Sequence, residues 1–358
     1  MKKRKLLALL ALALLPISSC NSNNSNNSNS INETSNSTFN YVENHRFSDK
    51  STIKMAESSS YNLSLMANED LTNASFVSSN EKALVIDNNG VIKSFAIDEE
   101  RVNVKIAIIK DEKIQVIEVL IFDSSLASYI VDIDLGSLYG KSIIFFGDSI
   151  TDKQYGDNYT NYLNDKCHFS SFSNVGHSGG TMTYKPSVFK NYTEYRIAKN
   201  CFPVSVDDNL KTIENSDFVF IMYGVNDISQ GDKIDTQSEL GDPTGSEAVI
   251  DGKTDATFCS SMIYGINKIK SVNPKAIIVF FSIMFSDYGK KYYIKDEKYN
   301  EFMEMTCEEN NVKYIDVYSL FDESSTQYYK EGNGARLHLN KEGYLVLTDY
   351  ILNGQKGR

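Results

Sequence analysis

Two patterns of apolar and polar positions divide the chain near residue 140. Beyond that point, unbroken apolar runs alternate with stretches of helical period. Ser142-Ile143-Ile144-Phe145-Phe146 is the clearest run. Such a run predicts a strand buried on both faces, as in a parallel sheet. Further strands are predicted over residues 169–175, 217–223, 275–283 and 312–317. Phe258, Met262, Ile266 and Ile269 recur at helical spacing, so a helix is predicted over residues 255–272, closed by Pro274. Two more helices are predicted over residues 296–310 and 340–352. Five strands separated by helices make a three-layer α/β sandwich around a parallel sheet.

Residues 41–134 carry the other pattern, with period two and no sustained helical period. Asn62-Leu63-Ser64-Leu65-Met66 alternates, and strands are also predicted over residues 83–86, 91–95, 102–109 and 114–122. Asp87-Asn88-Asn89-Gly90 between two of them is a strong hairpin turn. Short strands with regular turns predict a small sandwich. Asp132-Ile133-Asp134 lacks the remaining ligands of a calcium loop and reads as linker. The run from Ser78-Ser79-Asn80 through Ala83 and Val85 to Asn89-Gly90-Val91 resembles the bacterial immunoglobulin-like domains of surface proteins. That resemblance covers residues 41–136 and implies a spacer or a weak carbohydrate binder.

Lys2, Lys3, Arg4 and Lys5 precede an apolar stretch from Leu6 to Pro16, too short for a comfortable membrane span. Ile17-Ser18-Ser19-Cys20 follows and resembles the bacterial lipobox, which implies diacylation of Cys20. Two acyl chains suffice for a stable anchor. Residues 1–20 are thus expected to be a lipoprotein signal peptide, and the protein to sit lipid-anchored on the extracytoplasmic side of the cell membrane. Residues 21–40 are almost wholly Asn, Ser and Thr. They cannot bury a core and are expected to form a disordered tether.

Apolar residues make up 41% of the 358-residue chain, enough for a substantial core. The formal charge of −11 argues against a nucleic-acid partner, whose phosphates want a basic face. Cys167, Cys201, Cys259 and Cys307 form no CxxC pair and have no histidine at ligand spacing. No metal or other cofactor is expected, and the four cysteines read as buried small apolar residues.

Candidate chemistry lies in four strings, each at a predicted strand end, where open α/β sheets place their sites. They are Gly147-Asp148-Ser149-Ile150-Thr151, Asn174-Val175-Gly176-His177-Ser178-Gly179, Gly224-Val225-Asn226-Asp227 and Leu337-His338-Leu339-Asn340. A serine is a weak nucleophile and needs a neutral imidazole to take its proton. A tetrahedral intermediate needs preset donors for its negative oxygen, and losing one typically costs about 2.7–4 kcal/mol. Asp148 and Asp227 read as loop braces, and His177 as a solvated loop histidine.

In this order the strings resemble the SGNH, or GDSL, hydrolases, esterases and lipases of a flavodoxin-like three-layer fold. The resemblance covers residues 137–358. It implies Ser149 as nucleophile, His338 as base, and an oxyanion hole from the Ser149 and Gly179 backbone N–H groups and the Asn226 side chain. The family's last block is normally DxxH, but Ala335 stands three residues before His338. Three readings follow: a Ser–His dyad held by a backbone carbonyl, a substitute acid such as Glu331 or Asp322, or a decayed domain.

The expected function is a surface-anchored serine esterase acting on short acyl esters, O-acetylated carbohydrate above all. The long polar stretch over residues 229–257, and a sequence without a long apolar lid, favour this over a lipase. Tyr184, Tyr288, Tyr292 and Tyr293 are candidates for stacking on sugar rings. The alternatives are a lysophospholipase or general carboxylesterase, and a non-catalytic glycan-binding protein on a decayed hydrolase fold.

Overall fold

The computed structural model describes residues 42–43, 45–156, 158–188, 200–230, 240–287, 296–330 and 336–353. The lipobox with Cys20 and the Asn/Ser-rich segment lie outside the described residues, as do Tyr288, Tyr292, Tyr293, Glu331 and Ala335. The chain splits into two compact units, residues up to Lys54 with Ser58–Ile121, and Met55–Glu57 with Phe122 onward.

Among the described residues the first unit holds all or most of eight strands: β1 (Val42–Glu43), β2 (Thr52–Ala56), β3 (Ser60–Asn62), β4 (Ser75–Ser78), β5 (Leu84–Ile86), β6 (Val91–Ser94), β7 (Arg101–Lys110) and β8 (Lys113–Phe122). One sheet runs β1-β8-β7-β4, with β2 also on β8, and a second runs β3-β6-β5. The hairpin predicted at Asp87–Gly90 forms, with Ile86 opposite Ile92. Asp87 Oδ1 accepts from both Asn89 N and Val91 N, and Gly90 takes the positive φ of 76° that closes the turn. The β7–β8 connection is a two-residue turn with Asp111 and Glu112 both at positive φ, as a type I′ turn requires.

One expected strand is different. Residues 62–66 leave the sheet at Asn62, and Leu63–Met66 form a 3₁₀ turn. The Ser64 hydroxyl donates to the Asn89 carbonyl across the hairpin tip, and Leu63 N donates to Gly90 O. Leu63 is buried but Leu65 is exposed, so the alternation does not mark one buried face.

The second unit carries a parallel sheet of β9 (Ser142–Gly147), β10 (Ser171–Asn174), β11 (Phe218–Met222), β12 (Ile277–Phe281) and β13 (Lys313–Ile315), in the order β10-β9-β11-β12-β13. These are the five strands read from the apolar runs. Every residue of β11 and β12 is buried, which is why those segments read as unbroken apolar runs. The helices among the described residues are α1 (Ser124–Ile130), α2 (Leu135–Leu138), α3 (Tyr159–Cys167), α4 (Phe202–Asp208), α5 (Leu210–Glu214), α6 (Val225–Gln230), α7 (Phe258–Val272), α8 (Asp296–Glu309) and α9 (Lys341–Leu352).

Adjacent phenylalanines of β9 point to opposite faces and show the three layers. Phe145 meets the Tyr159 ring of α3 edge-on, and Phe146 meets Phe202 of α4. Helices α3 and α9 pack together on the first side, α4 and α7 on the second. In α7, Phe258, Met262, Ile266 and Ile269 are all buried. Burying each such side chain contributes about 1.5–3 kcal/mol. The helix starts at Phe258, three residues later than its apolar spacing predicts, because Thr257 and Ser260 form a reciprocal capping box.

Helix α1 was not visible in the β pattern. Asp123 creates it by capping Ser125 N and Leu126 N. Asp134, read as linker, is a capping-box residue for α2. Cys167, Cys201, Cys259 and Cys307 are buried and unbridged. Among the described residues no helix is long and apolar enough to cross a membrane.

Candidate active site

The strand order brings the first and third strings to one rim. After β9 the chain goes to β10 on one side, then returns past β9 to β11 on the other. Sites in such sheets form where this reversal occurs. Gly147 of β9 pairs in register with Met222 of β11. Both strings therefore leave the sheet at the same level.

Ser149 lies in the turn after β9 and is almost fully buried. Asp148 ties that turn together. Its carbonyl accepts from Thr151 N and Asp152 N, and its Oδ1 accepts from Ile150 N at 2.9 Å. Burial pushes its carboxyl up to about 7; the Ile150 N–H opposes the rise and the Asp227 charge adds to it. The Thr151 carbonyl accepts from Asn158 Nδ2 at 2.8 Å and Asn174 Nδ2 at 2.7 Å. The Ile150 carbonyl accepts from the Tyr344 hydroxyl at 3.3 Å. Helices α3 and α9 and strand β10 thus all hold the serine turn in place.

The second string runs alongside the first. His177 N donates to Gly147 O, and Ser178 N donates to Asp152 Oδ2, both at 2.9 Å. His177 itself is exposed. Gly179 then takes a φ of 77°, in the left-handed region that a side chain disfavours.

The third string is stitched onto the second. Asn226 Nδ2 donates to the Gly180 carbonyl at 2.9 Å. Asp227 accepts from Met182 N at 2.8 Å and Thr183 N at 2.9 Å. Burial nevertheless raises the Asp227 carboxyl above its ordinary value. Both aspartates brace loops through backbone hydrogen bonds. Gly224 turns the chain with φ 126°, and a Cβ there would stand 2.5 Å from Ile283 Cδ1. A side chain there would be strained by that φ and would force the Ile283 side chain to move.

His338 closes the site. Its Nε2 is 2.8 Å from Ser149 Oγ, although 189 residues separate the two. Two residues later Asn340 caps α9 by accepting from Gly343 N, and a bridge joins Leu339 to Tyr329. Burial lowers the His338 pKa, and the Lys330 charge lowers it further. Both effects favour the neutral imidazole. A neutral imidazole within hydrogen-bond reach of a hydroxyl can take its proton.

Of the sequence-proposed acids, Asp322 serves its own turn. Its Oδ1 accepts from Ser324 N and from the Ser324 and Ser325 hydroxyls, which hold its carboxyl below the usual range. Tyr184 does not present a face for stacking. It is buried, and its hydroxyl accepts from Gly252 N at 2.8 Å. With the Asp255 bond to Ser187 N, this fastens the polar segment around residues 251–255 onto the chain that follows Gly180. Among the described residues, no group of three or more His, Cys, Asp or Glu could hold a metal ion.

One pair beside the site carries no sequence signal. Arg336, two residues before His338, binds Asp287 in the loop after β12. Nothing in the spacing of these two residues, 49 apart, foretells the contact.

Comparisons place this geometry in a family. No curated protein matches the sequence. Among solved structures, a protein from Lactobacillus plantarum aligns at 20% identity over 59% of this chain and 93% of its own, with a TM-score of 0.42. A lipase/acylhydrolase from Enterococcus faecalis aligns at 14% identity over 60% of this chain and 94% of its own, with a TM-score of 0.39. The model of the GDSL-like lipase/acylhydrolase family matches residues 145–346, more than half of the chain and all four strings. The chain belongs to the GDSL-like lipase/acylhydrolase family of ester hydrolases.

Proposed function

We propose that this protein is a serine esterase that removes short acyl groups, O-acetyl groups of carbohydrates above all, while anchored to the cell surface through Cys20. The observation that carries the reaction is the 2.8 Å approach of His338 Nε2 to Ser149 Oγ. In this mechanism Ser149 Oγ attacks the ester carbonyl carbon as His338 Nε2 takes the hydroxyl proton. The carbonyl oxygen becomes an oxyanion, met by Ser149 N–H, Gly179 N–H and the Asn226 amide. Collapse of the intermediate expels the alcohol, which receives the proton from His338. Water then attacks the acyl-serine, with His338 again the base, and the acid leaves.

A sugar ester as substrate is supported by the polar segment around residues 242–255, joined to the chain that follows Gly180. Asp242 and Asp251 hold their local turns there, Asp255 accepts from Ser187 N, and most residues around them are exposed. The purified protein should hydrolyse aryl acetate faster than aryl esters of longer acids, and a fluorophosphonate should label Ser149. Preference for long acyl chains would replace the proposal with a lipase or lysophospholipase. Absence of both turnover and labelling would leave a glycan-binding protein on a decayed hydrolase fold.

The anchor is supported by the basic, apolar and lipobox segments in sequence, and residues 41–136 would be an immunoglobulin-like spacer behind it. Cys20→Ala should move the protein from the membrane fraction to the soluble fraction. A Cys20→Ala protein that still sediments with membranes would rule this anchor out.

A further inference from the structure

The segment that presents His338 is clamped by an ion pair outside the four strings. Asp287 receives Arg336 in three ways. Arg336 Nε lies 3.1 Å from both carboxylate oxygens, and Nη2 is 2.6 Å from Oδ1. The Arg336 backbone N donates to Oδ2 at 2.9 Å, and Asp287 N donates back to the Arg336 carbonyl at 3.1 Å. Nη1 also donates to the Glu323 carbonyl. The guanidinium lies 5.1 Å from the centre of the Phe285 ring.

The same ring's residue is held from the other side. The Tyr329 hydroxyl donates to the Phe285 carbonyl at 2.8 Å, while Lys330 N donates to the His338 carbonyl at 2.9 Å. The segment 336–339 is therefore fixed between the loop after β12 and the chain at 329–330. Both carboxylate oxygens, both backbones and the planar guanidinium take part, so the contact sets register and direction as well as proximity.

We infer that the Arg336–Asp287 pair is a positioning device for the general base, holding the His338 segment so that Nε2 meets Ser149 Oγ. The pair's bonds run to neither Ser149 nor the His338 ring, so it acts through the segment that carries His338. In sequence Arg336 directly follows Ala335, the position where the family's motif carries its acid. This inference rests on the esterase reading above.

The test uses Arg336→Met, which keeps an apolar stem over Phe285, and Asp287→Asn, which keeps the size of the acceptor. Each is made in the full chain and in a His338→Ala background, and followed by aryl acetate kinetics and thermal melting. A displacement of about 1 Å at a reacting group costs up to about 10²-fold in rate. Each single variant is expected to lose about 10- to 100-fold in kcat with KM within about twofold of the native value. In the His338→Ala background the same substitutions should change kcat by less than about twofold, because the group they position is gone. An equal loss in both backgrounds, a rise in KM at unchanged kcat, or native kcat in both variants would overturn the inference. Should Arg336→Met fail to fold, Asp287→Asn decides alone. A native protein with neither turnover nor fluorophosphonate labelling would instead overturn the esterase reading itself.

Discussion

Ser149→Ala and His338→Ala are each expected to lower kcat for aryl acetate by about 10⁴- to 10⁶-fold, and the double variant is expected to lose no more. The two groups act through one proton transfer across 2.8 Å, so removing either removes the same step. Additive losses would mean that the two do not share that step. The pH profile gives an independent check. Burial first, and the Lys330 charge second, hold the His338 pKa below that of an ordinary histidine, about 6.5. The base works only when neutral. As pH rises, kcat/KM of the native enzyme should therefore climb with a midpoint below that value and be flat near neutrality. A carboxylate beside the imidazole would favour the charged form and move the midpoint upward. A midpoint above the ordinary histidine value would thus point to a substitute acid such as Glu331, and against a Ser–His dyad.

The parallel sheet was legible because burial on both faces leaves a direct trace in composition. Ile143–Phe146, Phe218–Met222 and Ile277–Phe281 contain no charged residue, as central strands covered on both faces require. The first three site strings were legible because each sits where a strand ends, and glycines at 179 and 224 mark backbone corners with positive φ, whereas the fourth lies well beyond β13, at the start of α9. Helices whose first turn is made by a polar cap were harder to see. Asp123 and Asp134 each start a helix by accepting backbone N–H groups, and neither helix has an apolar stripe long enough to show a period. In the first unit, alternation misled at residues 62–66. A turn hydrogen bond from Ser64 to Asn89 decides the backbone there, and alternation carries no information about such a bond. Contacts between distant segments leave no trace in one sequence. The bonds from Asn226 to Gly180, from Asp227 to Met182 and Thr183, and from Arg336 to Asp287 join residues 44–49 positions apart in the chain. Those bonds turn four strings into one site.

Asn226→Ala should lower kcat by about 10²- to 10³-fold, the usual cost of losing one side-chain donor to an oxyanion, while KM changes little. The Gly180 bond makes this side chain more than a single donor. By binding the carbonyl of the residue after Gly179, the Asn226 amide fixes its own plane beside that glycine. Asp227 repeats the tie at Met182 and Thr183, so the backbone of the second string should stay in place when Asn226 alone is removed. The melting temperature should accordingly fall only slightly, since a single hydrogen bond contributes about 0.5–1.5 kcal/mol. Asn226→Asp sharpens the test. It keeps the shape but replaces the donor with an acceptor that faces the Gly180 carbonyl and would repel a developing negative oxygen. It should therefore be worse than alanine in kcat, and worse in stability, because two acceptors would meet without a proton between them. A donor role predicts loss in kcat from both variants, in the order Asn226→Asp below Asn226→Ala. A purely structural role predicts the same order in melting temperature, with kcat of the folded fraction unchanged, and that result would remove Asn226 from the oxyanion hole.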